Sequence, residues 1–257
     1  MSGAVVKAKK RGIYILPSLF TTAGLFAGFY ALIAAIQGKF ELAAWAIFAA
    51  AVFDMLDGRV ARLLHAETSF GAEYDSLCDM LSFGIAPAVT LYMWTLAPLG
   101  KIGWLGAFLV AACAALRLAR FNVQVGTADK RYFQGLPTPA TAMLVATAVL
   151  FHEHVGQEPN AWIWLGFSVA LAWLMVSNVR FFSGKDIDLK KKQPFAMLTA
   201  MLLVLVLVGY KPEITLFAVM FGYCLHGPVL SIWQKQRALR FRLQRRRKDR
   251  GLDESAS

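Results

Sequence analysis

Apolar residues dominate this chain in long runs separated by short polar breaks. Eight runs reach or approach the ~20 residues that an α-helix needs to cross a bilayer. They lie at 13–37, 41–64, 71–97, 102–121, 138–155, 160–181, 194–210 and 213–233, and the second, third and fifth have the least distinct ends. The pattern predicts an all-α, polytopic membrane helix bundle of about eight transmembrane helices. A basic N-terminus (1–12) and a basic C-terminal tail (234–257) flank a single membrane domain at 13–233. The first run is too long, and too unlike a cleavage site, for a removable signal peptide.

The break between the second and third runs is unlike the others. DMLDGRVARLLHAETSFGAEYDSLCDM (54–80) carries Asp54, Asp57, Asp75 and Asp79 inside predicted spans. Asp54, Asp57, Gly58, Ala61 and Arg62 follow helical spacing and form one stripe. Gly71, Asp75 and Asp79 form another. The intervening link is short, so the two helices are antiparallel neighbours and their polar stripes can face each other.

Composition agrees with a membrane protein: 58% of the 257 residues are hydrophobic, and the mean hydropathy is +0.52. The net charge of +11 would suit nucleic acid, but its distribution argues otherwise. With the N-terminus inside and eight spans, the outer connections hold only Lys39, Lys101 and Lys211 of the 27 Lys and Arg residues. That bias predicts that both termini are cytoplasmic, in the cell inner (cytoplasmic) membrane. RFRLQRRRKDR (240–250) reads as a topology signal in contact with anionic membrane lipids, with no nucleic acid partner. Two connections, 120–137 and 180–194, are longer than the rest and fall on the same inner side. Cys78, Cys113 and Cys224 show no paired spacing, and the four histidines show no metal spacing with them.

Four ionised carboxylates within a bilayer cost about 2.5–3.5 kcal/mol each on insertion scales. A pair ~6 Å apart repels by ~3 kcal/mol at an effective dielectric of ~20. Arg59 and Arg62 neutralise two at most. One or two hard divalent cations, Mg²⁺ or Mn²⁺, are the natural compensation, and such ions are usually shared with substrate phosphates. Gly58, Ala61 and Gly71 leave room for a molecule against the backbone; close packing of helices through small residues is the competing reading.

Written as D-x2-D-G-x2-A-R-x8-G-x3-D-x3-D, the stretch resembles the signature of the CDP-alcohol phosphotransferases at every fixed position. SFGIAPA (82–88), ALRLARFN (115–122) and FQGLPTPATA (133–142) further resemble the membrane-embedded bacterial phosphatidylserine synthases of that family. The likeness spans about residues 13–200 and leaves out the basic tail. It implies the fold of that family, with 13–233 as the catalytic domain, and transfer of a phosphatidyl group from CDP-diacylglycerol to L-serine with release of CMP. It implies that Asp54, Asp57 and Asp75 ligate metal, and that Asp79 is a further ligand or the general base. Asp57, Gly58, Ala61, Arg62, Gly71 and Asp75 would bind CDP. Arg117 or Arg120 would grip the serine carboxylate, with Asn122 or Ser82 near the amine. A homodimer is expected on the same ground. Other acceptors (glycerol 3-phosphate, inositol phosphate or choline) share the acidic signature. A cation transporter with an intramembrane acidic site is the alternative of a different class, although the acidic cluster occurs once, without the repeat common in transporters.

Overall fold

The computed structural model describes residues 2–64, 68–124, 132–182, 194–231 and 233. The basic tail at 240–250 and the middles of the two long connections lie outside the described residues. Among the described residues each apolar run carries a helix: α1 Ser2–Ile36, α2 Phe40–Leu63, α3 Ser69–Leu99, α4 Lys101–Gln124, α5 Thr138–Val155, α6 Ala161–Val176, α7 Pro194–Tyr210 and α8 Pro212–Ser231. Within these, Pro17–Ile36, α3, α4 and α8 are each long and apolar enough to cross a bilayer unaided. Many large apolar side chains face outward, among them Phe26, Phe108, Trp162 and Leu203. In water such a surface would be an association site; in lipid it is the ordinary exterior of a multi-pass membrane protein.

Three findings go beyond the sequence pattern. First, α1 begins at Ser2, so the basic N-terminus continues the first helix. Second, the sixth run stops being helical at Val176, and Arg180–Phe182 instead forms a strand, β2. It pairs antiparallel with β1, Tyr132–Gln134, in the register Gln134↔Arg180 and Tyr132↔Phe182. This two-stranded ladder joins the two long connections to each other. Third, α3 is continuous but not regular. Met80–Ile85 and Tyr92–Leu96 are π-helical. Each wide turn closes just before a proline: Ala86 N–H donates to Leu81 O ahead of Pro87, and Ala97 N–H donates to Tyr92 O ahead of Pro98. A proline ring collides with the carbonyl four residues back in a regular helix, and a π-turn relieves that collision.

Small residues set how closely the helices approach. Ala27, Ala31, Ala34 and Ala35 of α1 are buried, as are Ala43, Ala44, Ala46 and Ala50 of α2. Gly38, at φ +73°, turns the chain between the two helices. The Ala-lined seam brings the α1 and α2 backbones together, which is how membrane helices gain van der Waals contact without a hydrophobic driving force. α3 runs through the middle and is the most buried of the long apolar helices. Its Phe83 and Leu91 meet Ile47 of α2 and Val145 and Val149 of α5 in one continuous core. At one end of α3, Trp94, His152 and Trp164 pack edge to face, which fastens α3, α5 and α6 together.

Gly28 of α1 marks the tightest approach to α3. A Cβ there would lie 2.8 Å from the Cα of Ser82, a clash that only backbone movement relieves. Gly28→Val is therefore expected to destabilise the protein by about 1–3 kcal/mol, read as a lower thermal unfolding midpoint in detergent. Gly166→Ala, where a Cβ meets nothing within 4 Å, should leave the midpoint unchanged or slightly raised.

Candidate active site

The four aspartates converge at the end of α3 remote from Trp94. Asp54 and Asp57 sit on the last turns of α2, and Asp75 and Asp79 on the first turns of α3. The start of α3 is fixed by Thr68, which has extended backbone and whose hydroxyl accepts from Gly71 N–H at 3.0 Å, satisfying one of the free donors of a helix N-terminus. α1 supplies the third wall. Thr22 Oγ1 donates to Ser18 O at 2.7 Å and lies 3.0 Å from the Tyr74 hydroxyl, so Tyr74 donates to Thr22. Ser82 Oγ donates to Gly24 O at 3.2 Å. The three helices form a small, half-open cleft lined by all four aspartates together with Thr21, Gly24, Cys78 and Ser82.

Carboxylate oxygens of Asp54, Asp57 and Asp75 lie within 4.8 Å of one another. At an effective dielectric of ~20, each such pair of ionised groups repels by about 3 kcal/mol. Asp57 is only 6% exposed, and its Oδ2 is buried without a hydrogen-bond partner. A buried acceptor with no donor is costly, and a cation removes the cost. Three hard oxygen donors at this spacing fit a hard divalent cation. Asp79 stands one turn further along α3, in side-chain hydrogen-bond contact with Asp54 and within electrostatic reach of Asp57, Asp75 and Arg117.

The small residues divide into two kinds. A Cβ on Gly58 would meet nothing nearer than the Arg62 guanidinium at 3.9 Å, so open space lies against the α2 backbone there. Ala61 is half-buried and Arg62 exposed on the same stripe. Gly71 is different. A Cβ there would crowd the capping Thr68 oxygen at 3.0 Å, which accounts for the glycine through the helix cap.

The candidates from α4 are also differently employed. Arg117 is 8% exposed; its Nη1 donates to Thr138 Oγ1 at 2.9 Å, and its Nε is buried without a partner. Arg120 donates to four backbone carbonyls, those of Gln134, Met175, Val176 and Ser177. Asn122 and Ser76 exchange hydrogen bonds at 3.0 and 3.2 Å, tying α4 to α3 between Asp75 and Asp79. Sequence reasoning missed the Thr22–Tyr74 tie and Cys78 in the cleft wall. The paired threonines of FTTAG, polar in an otherwise apolar run, were the available signal for the first.

The model of the CDP-alcohol phosphatidyltransferase family matches residues 14–179. Among curated relatives, the CDP-diacylglycerol–serine O-phosphatidyltransferase of Helicobacter pylori is 37% identical over 223 residues, covering 86% of this chain and 92% of the relative. The Mycobacterium tuberculosis protein of the same name is 32% identical, covering 85% and 79%. An archaetidylserine synthase of Methanothermobacter thermautotrophicus is 33% identical, covering 65% and 69%. With the family model matched across both acidic helices and through Arg117 and Thr138, the chain belongs to the CDP-alcohol phosphatidyltransferase family.

Proposed function

We propose that this chain transfers the phosphatidyl group of CDP-diacylglycerol to the hydroxyl of L-serine, giving phosphatidylserine and CMP. The observation that carries the reading is the trio of carboxylates within 4.8 Å, with a fourth one turn on and a buried arginine beyond it. The names of the relatives, serine transferases from bacteria and an archaeon, support serine as the acceptor over glycerol 3-phosphate, inositol phosphate or choline.

In this reading Asp54, Asp57 and Asp75 hold Mg²⁺ or Mn²⁺, which supplies positive charge against the pyrophosphate and the departing CMP. The open stripe at Gly58, Ala61 and Arg62 takes the nucleotide. Gly71 acts through the α3 cap, which orients Asp75. Asp79 accepts the proton of the serine hydroxyl, whose oxygen attacks the phosphatidyl phosphorus in line. One P–O bond forms to serine as the pyrophosphate P–O bond breaks, and the electron pair leaves with CMP. Arg117 offers the serine carboxylate its unpartnered Nε edge, the side of the fork suited to bidentate contact. Asn122 Oδ1 and Ser82 Oγ each retain a lone pair for the amine. The acyl chains stay in the lipid while serine and CMP exchange with the cytoplasm, the side expected for the site from the distribution of basic residues. The homodimer expected of the family would place two such sites in one assembly.

Two measurements test this. CMP release in detergent with Mg²⁺ or Mn²⁺ is expected with L-serine and not with the other alcohols; no release with any alcohol, together with divalent-ion flux in liposomes, would establish the transporter reading instead. Asp79→Asn should lower kcat by about 10²–10⁴-fold, the usual contribution of a general base, while CDP binding stays within a few-fold. Asp57→Asn should instead weaken Mn²⁺ binding at least tenfold, read by the paramagnetic resonance of free Mn²⁺. Equal loss of nucleotide binding in both variants would argue against the division of roles between Asp79 and the trio.

A further inference from the structure

The two arginines of RLARF stand one turn apart on α4, yet their surroundings differ. Among the described residues Arg117 donates one hydrogen bond, to Thr138, and its Nε is buried without a hydrogen-bond partner. The Arg120 guanidinium is bound to backbone: Nη1 donates to Val176 O at 3.0 Å, and Nη2 to Gln134 O at 2.8 Å, Met175 O at 3.2 Å and Ser177 O at 3.4 Å. Met175 and Val176 end α6, where carbonyls lack helical partners, and Ser177 is its C-cap. Arg120 thus caps α6 and at the same time holds the end of β1.

Gly135 completes the junction. Its φ is +78°, and a Cβ there would lie 2.8 Å from Arg120 Nη2 and 3.0 Å from the Met175 carbonyl carbon. Its N–H donates to Val179 O at 2.8 Å, and Leu136 N–H donates to Leu174 O at 3.0 Å. Three residues after Gly135, at the first turn of α5, comes Thr138, fully buried, whose hydroxyl receives the Arg117 donor. The place of Thr138 is therefore set by the junction, and the aim of Arg117 is set by Thr138.

We propose that Arg120 and Gly135 are positioning residues of the acceptor site: they lock the ends of α4 and α6 and the start of α5 so that Arg117 presents its vacant edge to the incoming alcohol. The inference rests on the reading of Arg117 as the acceptor-binding arginine. It separates Arg120, whose Nη hydrogen bonds among the described residues all go to carbonyls, from substrate contact.

Steady-state kinetics of Arg120→Ala, Gly135→Ala and the double variant test it, using the alcohol that the wild type turns over. Each single variant should raise the KM of the acceptor by about tenfold, the scale of effect of a sub-ångström to ångström misplacement. The KM of CDP-diacylglycerol and metal-dependent CDP binding should stay within twofold. The double variant should match the worse single variant, because both break one unit. A normal acceptor KM in Gly135→Ala, or a multiplicative double variant, would overturn the proposal. So would a parallel loss of affinity for both substrates. If Gly135→Ala does not fold, Thr138→Val takes its place in the cycle with the same expected outcomes. CMP release by the wild type with an alcohol other than serine would refute the serine assignment; a silent Gly135→Ala beside an active wild type refutes only the positioning role.

Discussion

Repulsion among carboxylates held close in a poor dielectric is the constraint to which the rest of this molecule answers. Three aspartates within 4.8 Å push apart the helices that carry them, and only the surrounding packing keeps them in place. α1 does most of that work. It touches α3 through the Thr22–Tyr74 and Ser82–Gly24 hydrogen bonds and the close approach at Gly28, and it grips α2 along the alanine seam. A cleft braced on three sides is preorganised, so binding a cation and a pyrophosphate need not first gather the ligands. The strain of assembling like charges is borne by apolar and small-residue contacts distributed over three helices.

The bundle and the acidic cluster were legible in the sequence because both are periodic. Apolar runs of spanning length gave the helices nearly to their ends, and spacings of three and four gave the two carboxylate stripes. What was not legible depends on partners far away in the chain. Nothing near Arg120 announces that carbonyls more than fifty residues later, at 175–177, will fill its guanidinium. The same is true of Asn122, paired across 46 residues with Ser76. Apolar composition pointed to helix through residue 181, whereas backbone pairing with Tyr132–Gln134 made Arg180–Phe182 a strand. Gly71, grouped with Gly58 as a small residue beside the carboxylates, also lies against the Thr68 cap, a contact the pattern does not reveal.

The two ends of the bundle are built on different physics. The carboxylate end uses hydrogen bonds between helices, small residues and a polar cleft, where position matters to a fraction of an ångström. The other end uses large rings: Trp94, His152 and Trp164 meet edge to face, and Phe151 stacks on Phe217 of α8 at 5.0 Å. Ring packing of this kind tolerates small shifts, and aromatic side chains suit the boundary between hydrocarbon and water.

The π-turns of α3 have a consequence for how such a rod can serve both ends. Each holds one residue more than a regular turn would, and so sets the helix beyond it back by roughly one residue of rotation, about 100°. Asp75 and Asp79 precede the first of these turns, and Trp94 lies within the second. Two π-turns thus divide one unbroken helix into three differently phased stretches, and removing one residue between 80 and 91 would change the aim of the ring end relative to the carboxylate end.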